Sequence, residues 1–381
     1  MLSENLLQLR LQRGMSQSQV AEKANISLPA YRNIEKGVSE PRSNTLQQIA
    51  NALGVPLKDL LVAAKPLEKV RFRSQKKMKC RALVLADVSR WLVKFNELEK
   101  LLQDYKSFAL DNLADELQHQ APGKERACRA AEEARKALDL DNSEPIHDIC
   151  GLLEDKGVKV YPINLASEGF FGLSVALQEG GPAIVVNVWD RISVERWIFT
   201  AAHELGHLLL HLDSFDVVKE AEDNLQEVEA NWFASKLLMP DKAFDREWQE
   251  TYGLPLQNRV FKMKRIFRVS YRTVLYRLQE EYGYRDIWRN FQVAYKRTYG
   301  HSLHGGDEPN RLAASQFQAS LPEAKRANEP SRLDDWDFVE DRLRRLVRKA
   351  IEREAISVSR AAEILSVKIL DMREIAAAWE T

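Results

Sequence analysis

The spacing of apolar residues changes character several times along the chain. Residues 1–62 carry short apolar runs at helical intervals, broken by turn-forming residues, and predict a cluster of short helices. From about Ala82 to Leu138 the helical interval persists. Leu83, Leu85, Val88, Trp91, Leu92, Phe95, Leu98, Leu101 and Leu102 keep one apolar stripe there. Near Val158 the period changes, and segments 158–162, 171–177 and 183–187 predict strands separated by Gly and Pro turns. Helical spacing returns from about Ser193 to Phe291. A stretch rich in Gly, Pro, Ser, Asn and Gln follows from His301 to about Arg332, and a last helical pattern runs from Trp336 to Trp379. The pattern predicts a mostly helical α+β protein. Its expected parts are a five-helix domain at 1–62, a basic linker and helical connector at 63–145, a domain with a small sheet at 146–300, a linker at 301–335 and a small helical module at 336–381.

Composition narrows this picture. A chain of 381 residues is too long for one ordinary core. Lys+Arg and Asp+Glu both total 56, so a nucleic-acid surface must be local. One basic stretch stands out: Lys65–Arg81 holds eight basic residues and one acidic. Cys80, Cys128 and Cys150 are odd in number and widely spaced, which argues against a disulfide framework or a cysteine zinc site. No charged leader precedes an apolar run, and no apolar stretch approaches the roughly 20 residues of a membrane span. The expectation is a cytoplasmic protein with no membrane partner.

The N-terminal turn chemistry is specific. Gly14 is placed to end helix one, and Ser16 with Gln19 can form a capping box for helix two. Asn25 tolerates positive φ where a tight turn needs it; Ser27 caps helix three, Pro29 falls in its first turn and Gly37 ends it. Met15–Ala24, Ile34–Gly37, Pro41 and Leu46–Gly54 closely resemble the phage-repressor (XRE) helix-turn-helix family, over nearly all of residues 5–61. That resemblance implies a third helix in the major groove of double-stranded DNA, with the protein a homodimer on an inverted repeat. Ser27, Ala30, Tyr31 and Arg32 would then face bases, and Gln17 and Asn33 would lie nearer the phosphates. Arg10 and Glu35 match positions that often form an internal ion pair in that family. A protein-docking module without DNA affinity is the competing reading; the adjacent basic stretch weighs against it.

The segment Thr200–His211 carries the pattern H-E-x-x-H. On a helix His203 and His207 lie one turn apart on one face, about 6 Å along the axis, and both can reach one Zn²⁺. Glu204, turned by about 100°, can miss the metal and meet a water as general base. The helix is apolar almost all round, so two histidines and a glutamate inside it need compensation, which a metal supplies. A third ligand is expected on the next helix. Glu229, at the edge of the apolar face made by Ala230, Phe233, Ala234, Leu237 and Leu238, is the first choice, with Glu227 and Glu222 as rivals. Asn231 and His211 are expected to support the ligands by hydrogen bonds. His211 lies about 80° round the helix from His203, which strains direct ligation.

Phe171–Ser174, Ile184–Asn187, Glu195-Arg, the H-E-L-G-H run and Glu229–Pro240 resemble the ImmA/IrrE metallopeptidase family, across roughly Ile146–Arg277. The resemblance implies a gluzincin-like core with the third ligand on the following helix, and cleavage of a helix-turn-helix repressor. A substrate would lie extended along the sheet edge, with 171–177 or 183–187 as that edge. Ser270 can cap a further helix pair carrying Arg268, Arg272 and Arg277, read as a packed pair with solvated arginines or as a nucleic-acid contact. Long fusions of this kind also resemble bacterial transcription factors whose peptidase-like region acts as a sensor. The expected function is a DNA-binding transcriptional regulator with a zinc-dependent endopeptidase domain that cleaves a repressor or other regulatory protein on a signal. A non-proteolytic sensor and the antitoxin of a toxin–antitoxin pair are the alternatives.

Overall fold

The computed structural model describes residues 2–55, 57–61, 65–72, 81–167, 169–218, 223–304, 307–309 and 342–379. The protein is mostly helical with one four-stranded sheet, and it divides into two compact units. Among the described residues no helix is long and apolar enough to cross a membrane.

The first unit contains α1 (Leu2–Gln12), α2 (Gln17–Lys23), α3 (Leu28–Glu35), α4 (Ser43–Leu53), α5 (Leu57–Leu61) and the long α6 (Arg81–Leu102). Three C-terminal helices, Arg342–Glu352, Val358–Leu365 and Ile369–Trp379, complete it. The predicted caps are present. Ser16 and Gln19 form the capping box of α2, Ser27 accepts from the Ala30 amide at the start of α3, and Gly14 and Gly37 follow α1 and α3 at φ 59° and 71°. Asn25 sits at φ 52°, in the turn between α2 and α3. Leu6, Leu9, Val20, Ile34, Ile49 and Leu53 meet in the core. Arg10 and Glu35 form a buried two-pronged ion pair at 2.7 and 2.8 Å. The C-terminal helices pack on α6. Leu343, Leu346, Val347 and Ala350 are buried, and the Arg342 guanidinium meets Glu99 at 2.6 Å over the Phe95 ring.

The second unit is built round α10 (Val194–Leu210), whose side chains are buried on nearly all faces. Helices α7 (Asp111–Gln118), α8 (Lys124–Ala137), α9 (Ile149–Asp155) and α11 (Asn224–Leu238) surround it. Gly206 lets α11 come close, since a Cβ there would stand 2.9 Å from the Phe233 ring. The sheet has the order β1-β3-β4-β2, from β1 (Val70–Arg71), β2 (Lys159–Ile163), β3 (Gly172–Val175) and β4 (Ala183–Asn187). Every residue of β4 is buried, as the apolar run Ala183–Val186 requires of a strand covered on both faces. β4 pairs parallel with β2 and antiparallel with β3, while β3 pairs antiparallel with β1. Helices α12 (Asp241–Glu250), α13 (Leu256–Phe267), α14 (Tyr271–Tyr282) and α15 (Ile287–Tyr299) extend the core. Ser270 caps α14 as expected, and Arg277 is buried in ion pairs with Asp241 and Glu281, so it is no nucleic-acid contact.

The five parts expected from the sequence therefore regroup as two units. The 63–145 connector is shared: α6 belongs to the first unit, whereas β1, α7 and α8 belong to the second. The C-terminal module joins the first unit because its apolar face is covered by α6. The 301–335 linker is folded onto the second unit as far as Leu303 and Glu308; its remainder lies outside the described residues.

Candidate functional site

Helix α10 starts at the Ser193 cap and carries His203, Glu204 and His207 to a cleft of about 380 Å³. The two imidazole Nε2 atoms face each other at 3.0 Å. Glu227, from α11, sets Oε2 3.3 Å from His203 Nε2 and Oε1 3.3 Å from His207 Nε2. His203, His207 and Glu227 thus offer three ligand atoms to one point.

The protonation of this cluster follows from its outer partners. The Glu229 carboxylate accepts from the Gly123 amide at 2.7 Å and from the Arg126 guanidinium at 2.9 and 2.7 Å. It is therefore ionised and can only accept. Burial alone would raise its pKa, but these hydrogen bonds and the Arg126 charge outweigh it and hold the carboxyl below the ordinary value. His211 Nε2, 3.0 Å from Glu229 Oε2, must carry a proton. Burial lowers the His211 pKa to about 4, so the ring is neutral and its Nδ1 is an acceptor. His207 Nδ1, 2.8 Å away, then donates to it, and burial holds His207 neutral as well. Asn231 Oδ1 accepts from His203 Nδ1 at 3.0 Å. The Nε2 of His207 is left as a bare lone pair beside the Glu227 carboxylate and the Nε2 of His203. Two imidazole nitrogens and a carboxylate oxygen converge on one point, and two histidines with one glutamate suit zinc. The residues present fit that metal.

Glu204 lies on the sheet side of the helix. Ser174 Oγ, on β3, donates to its carboxylate, and burial pushes the carboxyl up to about 7. Gly172 is needed beside it: a Cβ there would come within 2.5 Å of Thr200 and 2.8 Å of the Val185 carbonyl. Asn187 holds the neighbouring loop by donating to the carbonyls of Leu165 and Phe170 and accepting from the Leu165 amide. Arg71 reaches the cleft from β1, bonding Gln226 and Glu227 at 2.7 Å each.

In the first unit α3 presents Ala30, Arg32 and Asn33 to solvent. Gln17 bridges inward and outward, donating to Glu35 at 2.7 Å and accepting from Arg32 at 3.3 Å.

Comparison with known proteins agrees with both modules. Residues 6–60 match the helix-turn-helix family, and residues 153–279 match the family described as the IrrE N-terminal-like domain. The chain joins a helix-turn-helix domain to an IrrE-like domain. It is 43% identical over 70 residues to the uncharacterized HTH-type transcriptional regulator YqaE of Bacillus subtilis (strain 168), covering 18% of this chain and 60% of that one. It is 38% identical over 60 residues to the HTH-type transcriptional regulator DdrOP3 of Deinococcus deserti, covering 16% of this chain and 46% of that one. The chain thus spans about half of each relative's length.

Within the IrrE-like domain, the structure corrects the expected third ligand. Glu229 points away from the His203–His207 pair into the Arg126 ion pair, and Glu227 takes the place beside the histidines. The reason is helical phase. Glu227 and Asn231 are four residues apart and share a face, while Glu229 lies about 200° round from Glu227. Glu222 lies outside the described residues. In the helix-turn-helix domain Tyr31, expected to face bases, is fully buried, and Ser27 spends its hydroxyl on the cap of α3. Arg71, Ser174, Arg126 and Asn187 were not singled out from the sequence for these roles. Ser174 and Asn187 do fall within the segments that carry the family resemblance.

Proposed function

We propose that the chain is a cytoplasmic DNA-binding transcriptional regulator whose IrrE-like domain is a zinc-dependent endopeptidase acting on a regulatory protein, such as a helix-turn-helix repressor. The observation that carries the reading is the convergence of three possible ligands, His203, His207 and Glu227, on one point beside the buried Glu204. The chemistry a zinc ion supplies in such a set is polarisation of a water and of a peptide carbonyl. Glu204 is the group that moves the proton. Its carboxylate, oriented by Ser174, would take a proton from the attacking water and return it to the leaving amide nitrogen. The His211–Glu229–Arg126 chain holds the His207 ring in one tautomer. Exposed Arg32, Asn33 and Ala30 on α3 support a DNA-facing surface on the first unit, and both relatives carry names of transcriptional regulators. A homodimer on an inverted repeat is the form such a domain would take on DNA.

The test is incubation of the zinc-loaded full chain with candidate repressor proteins encoded beside its gene, with Glu204→Gln as control. Fragments that appear with the wild type and not with the variant support the reading. Regulation of a target promoter that is identical for both, with no fragment from either, would leave the zinc site structural or sensory.

A further inference from the structure

The edge of β3 is where an extended peptide would meet the cleft, and the chain already fills it. Without β1, the strand order would leave β3 outermost. β1 runs antiparallel along it, with Val70 opposite Val175 and Arg71 opposite Ser174, the residue that holds Glu204. The Ala176 amide donates to the Lys69 carbonyl at 3.0 Å, and the Lys69 amide donates to Glu179 at 2.9 Å. Side chains alternate as a strand requires. Val70 and Phe72 are fully buried, the Phe72 ring 5.1 Å from that of Phe170, while Arg71 turns the other way into the cleft and meets Glu227 at 2.7 Å.

A peptide adding to β3 would need these same backbone groups. The geometry points to an internal pseudosubstrate: Lys69–Phe72 occupies the substrate strand position of the IrrE-like domain and excludes other peptides until it withdraws. The occupant also reports what the groove accepts, an extended segment with a basic residue between two apolar ones. The position in the chain matters as well. β1 belongs to the second unit, yet the helices before and after it, α5 and α6, belong to the first. A change in the DNA-binding unit therefore acts on this strand through covalent chain. That the displaced strand makes way for cleavage rests on the peptidase reading; that it competes for the groove does not.

The test uses the zinc-loaded full chain and a fluorescent synthetic peptide of residues 66–75, read by polarisation. Val70 and Val175 form a pair without direct hydrogen bonds between them, where facing Cβ atoms lie close. A Val70→Cys/Val175→Cys variant can therefore be locked by oxidation and released by reductant. An occupant that fills the groove nine-tenths of the time weakens apparent affinity by roughly tenfold. The oxidised form, whose groove cannot empty, should bind the peptide more weakly than its reduced form, and Phe72→Ala, which loosens the occupant, should bind it up to roughly tenfold more tightly than wild type. Equal affinity in oxidised and reduced protein overturns the inference. That comparison decides even if Phe72→Ala fails to fold. Peptide binding that follows the lock, with no cleavage in any sample, sinks the peptidase reading and leaves the pseudosubstrate standing.

Discussion

His211 Nε2 lies 3.0 Å from Glu229 Oε2, and through this contact a carboxylate that touches neither His203 nor His207 fixes the proton on His207. Arg126 pins Glu229, Glu229 orders His211, His211 orders His207, and the Nε2 lone pair of His207 ends up facing Glu227. Four residues thus behave as one unit, and disturbing any of them should be felt at the His203–His207–Glu227 cluster.

For zinc content, Glu227 and Glu229 should separate cleanly. Glu227→Gln removes the anionic donor and should leave the protein without stoichiometric zinc after dialysis. Glu229→Gln should retain zinc with an affinity about 10–100-fold weaker, as expected for an outer partner. Elemental analysis and chelator competition measure both. A His203→Ala/His207→Ala variant that keeps stoichiometric zinc would remove the site altogether.

Glu204→Gln keeps the shape of the side chain and both imidazoles, so zinc and melting temperature should be unchanged. The proton acceptor is what it loses. Turnover of any cleaved substrate should fall by about 10²–10⁴-fold. A variant that cleaves as fast as wild type would show that Glu204 moves no proton.

On DNA, full-length protein should bind its operator with an affinity that falls steeply as salt rises. Arg32→Ala should weaken preferred sites more than random duplex. Because Tyr31 is packed inside, Tyr31→Ala should act through unfolding rather than through base readout. Gel shifts run beside thermal melts distinguish the two. Binding insensitive to salt would leave the helix-turn-helix as a protein-docking module.

Glu308 makes stability depend on pH. It shares Lys264 with Glu195, and burial, reinforced by the Glu195 charge, pushes its carboxyl from 4.5 up to about 7. Between those values the folded state holds a proton that the unfolded chain has released. The contribution is fully present below about 4.5 and is lost as pH rises towards about 7. The full loss is on the order of 3 kcal/mol. Urea titrations across this range should show the fall in wild type and a flatter profile in Glu308→Gln. A slope unchanged in the variant would assign the effect elsewhere.

What could be read from the sequence was local. The caps at Ser16, Ser27 and Ser270 and the turn at Asn25 depend on neighbours within a few positions, and each stands as expected. The His203–His207 pair is set by one turn of helix. Two errors were errors of phase: Tyr31 lies three residues before the core residue Ile34, and Glu227 lies four before Asn231. Attention to helical face alone would have placed both. β1 was harder to read: Lys69–Arg73 alternates basic and apolar residues, but the run is short, sits inside a basic stretch, and pairs with a strand about a hundred residues away. The docking of the C-terminal helices on α6 is equally non-local.

The first unit is closed by chain from both ends of the sequence. Arg13 donates to the Ser366 carbonyl at 2.9 Å, and Lys94 to the Glu363 carbonyl at 3.1 Å. On a ribosome, α1–α6 emerge long before residues 342–379, so the apolar stripe of α6 must wait uncovered while the whole second unit is made. The entropy of closing so long a loop grows only slowly with length, so the finished contact is cheap to form. The interval before it is the vulnerable one. Chains released early would carry a helix-turn-helix with an exposed flank, a natural target for chaperones and for degradation.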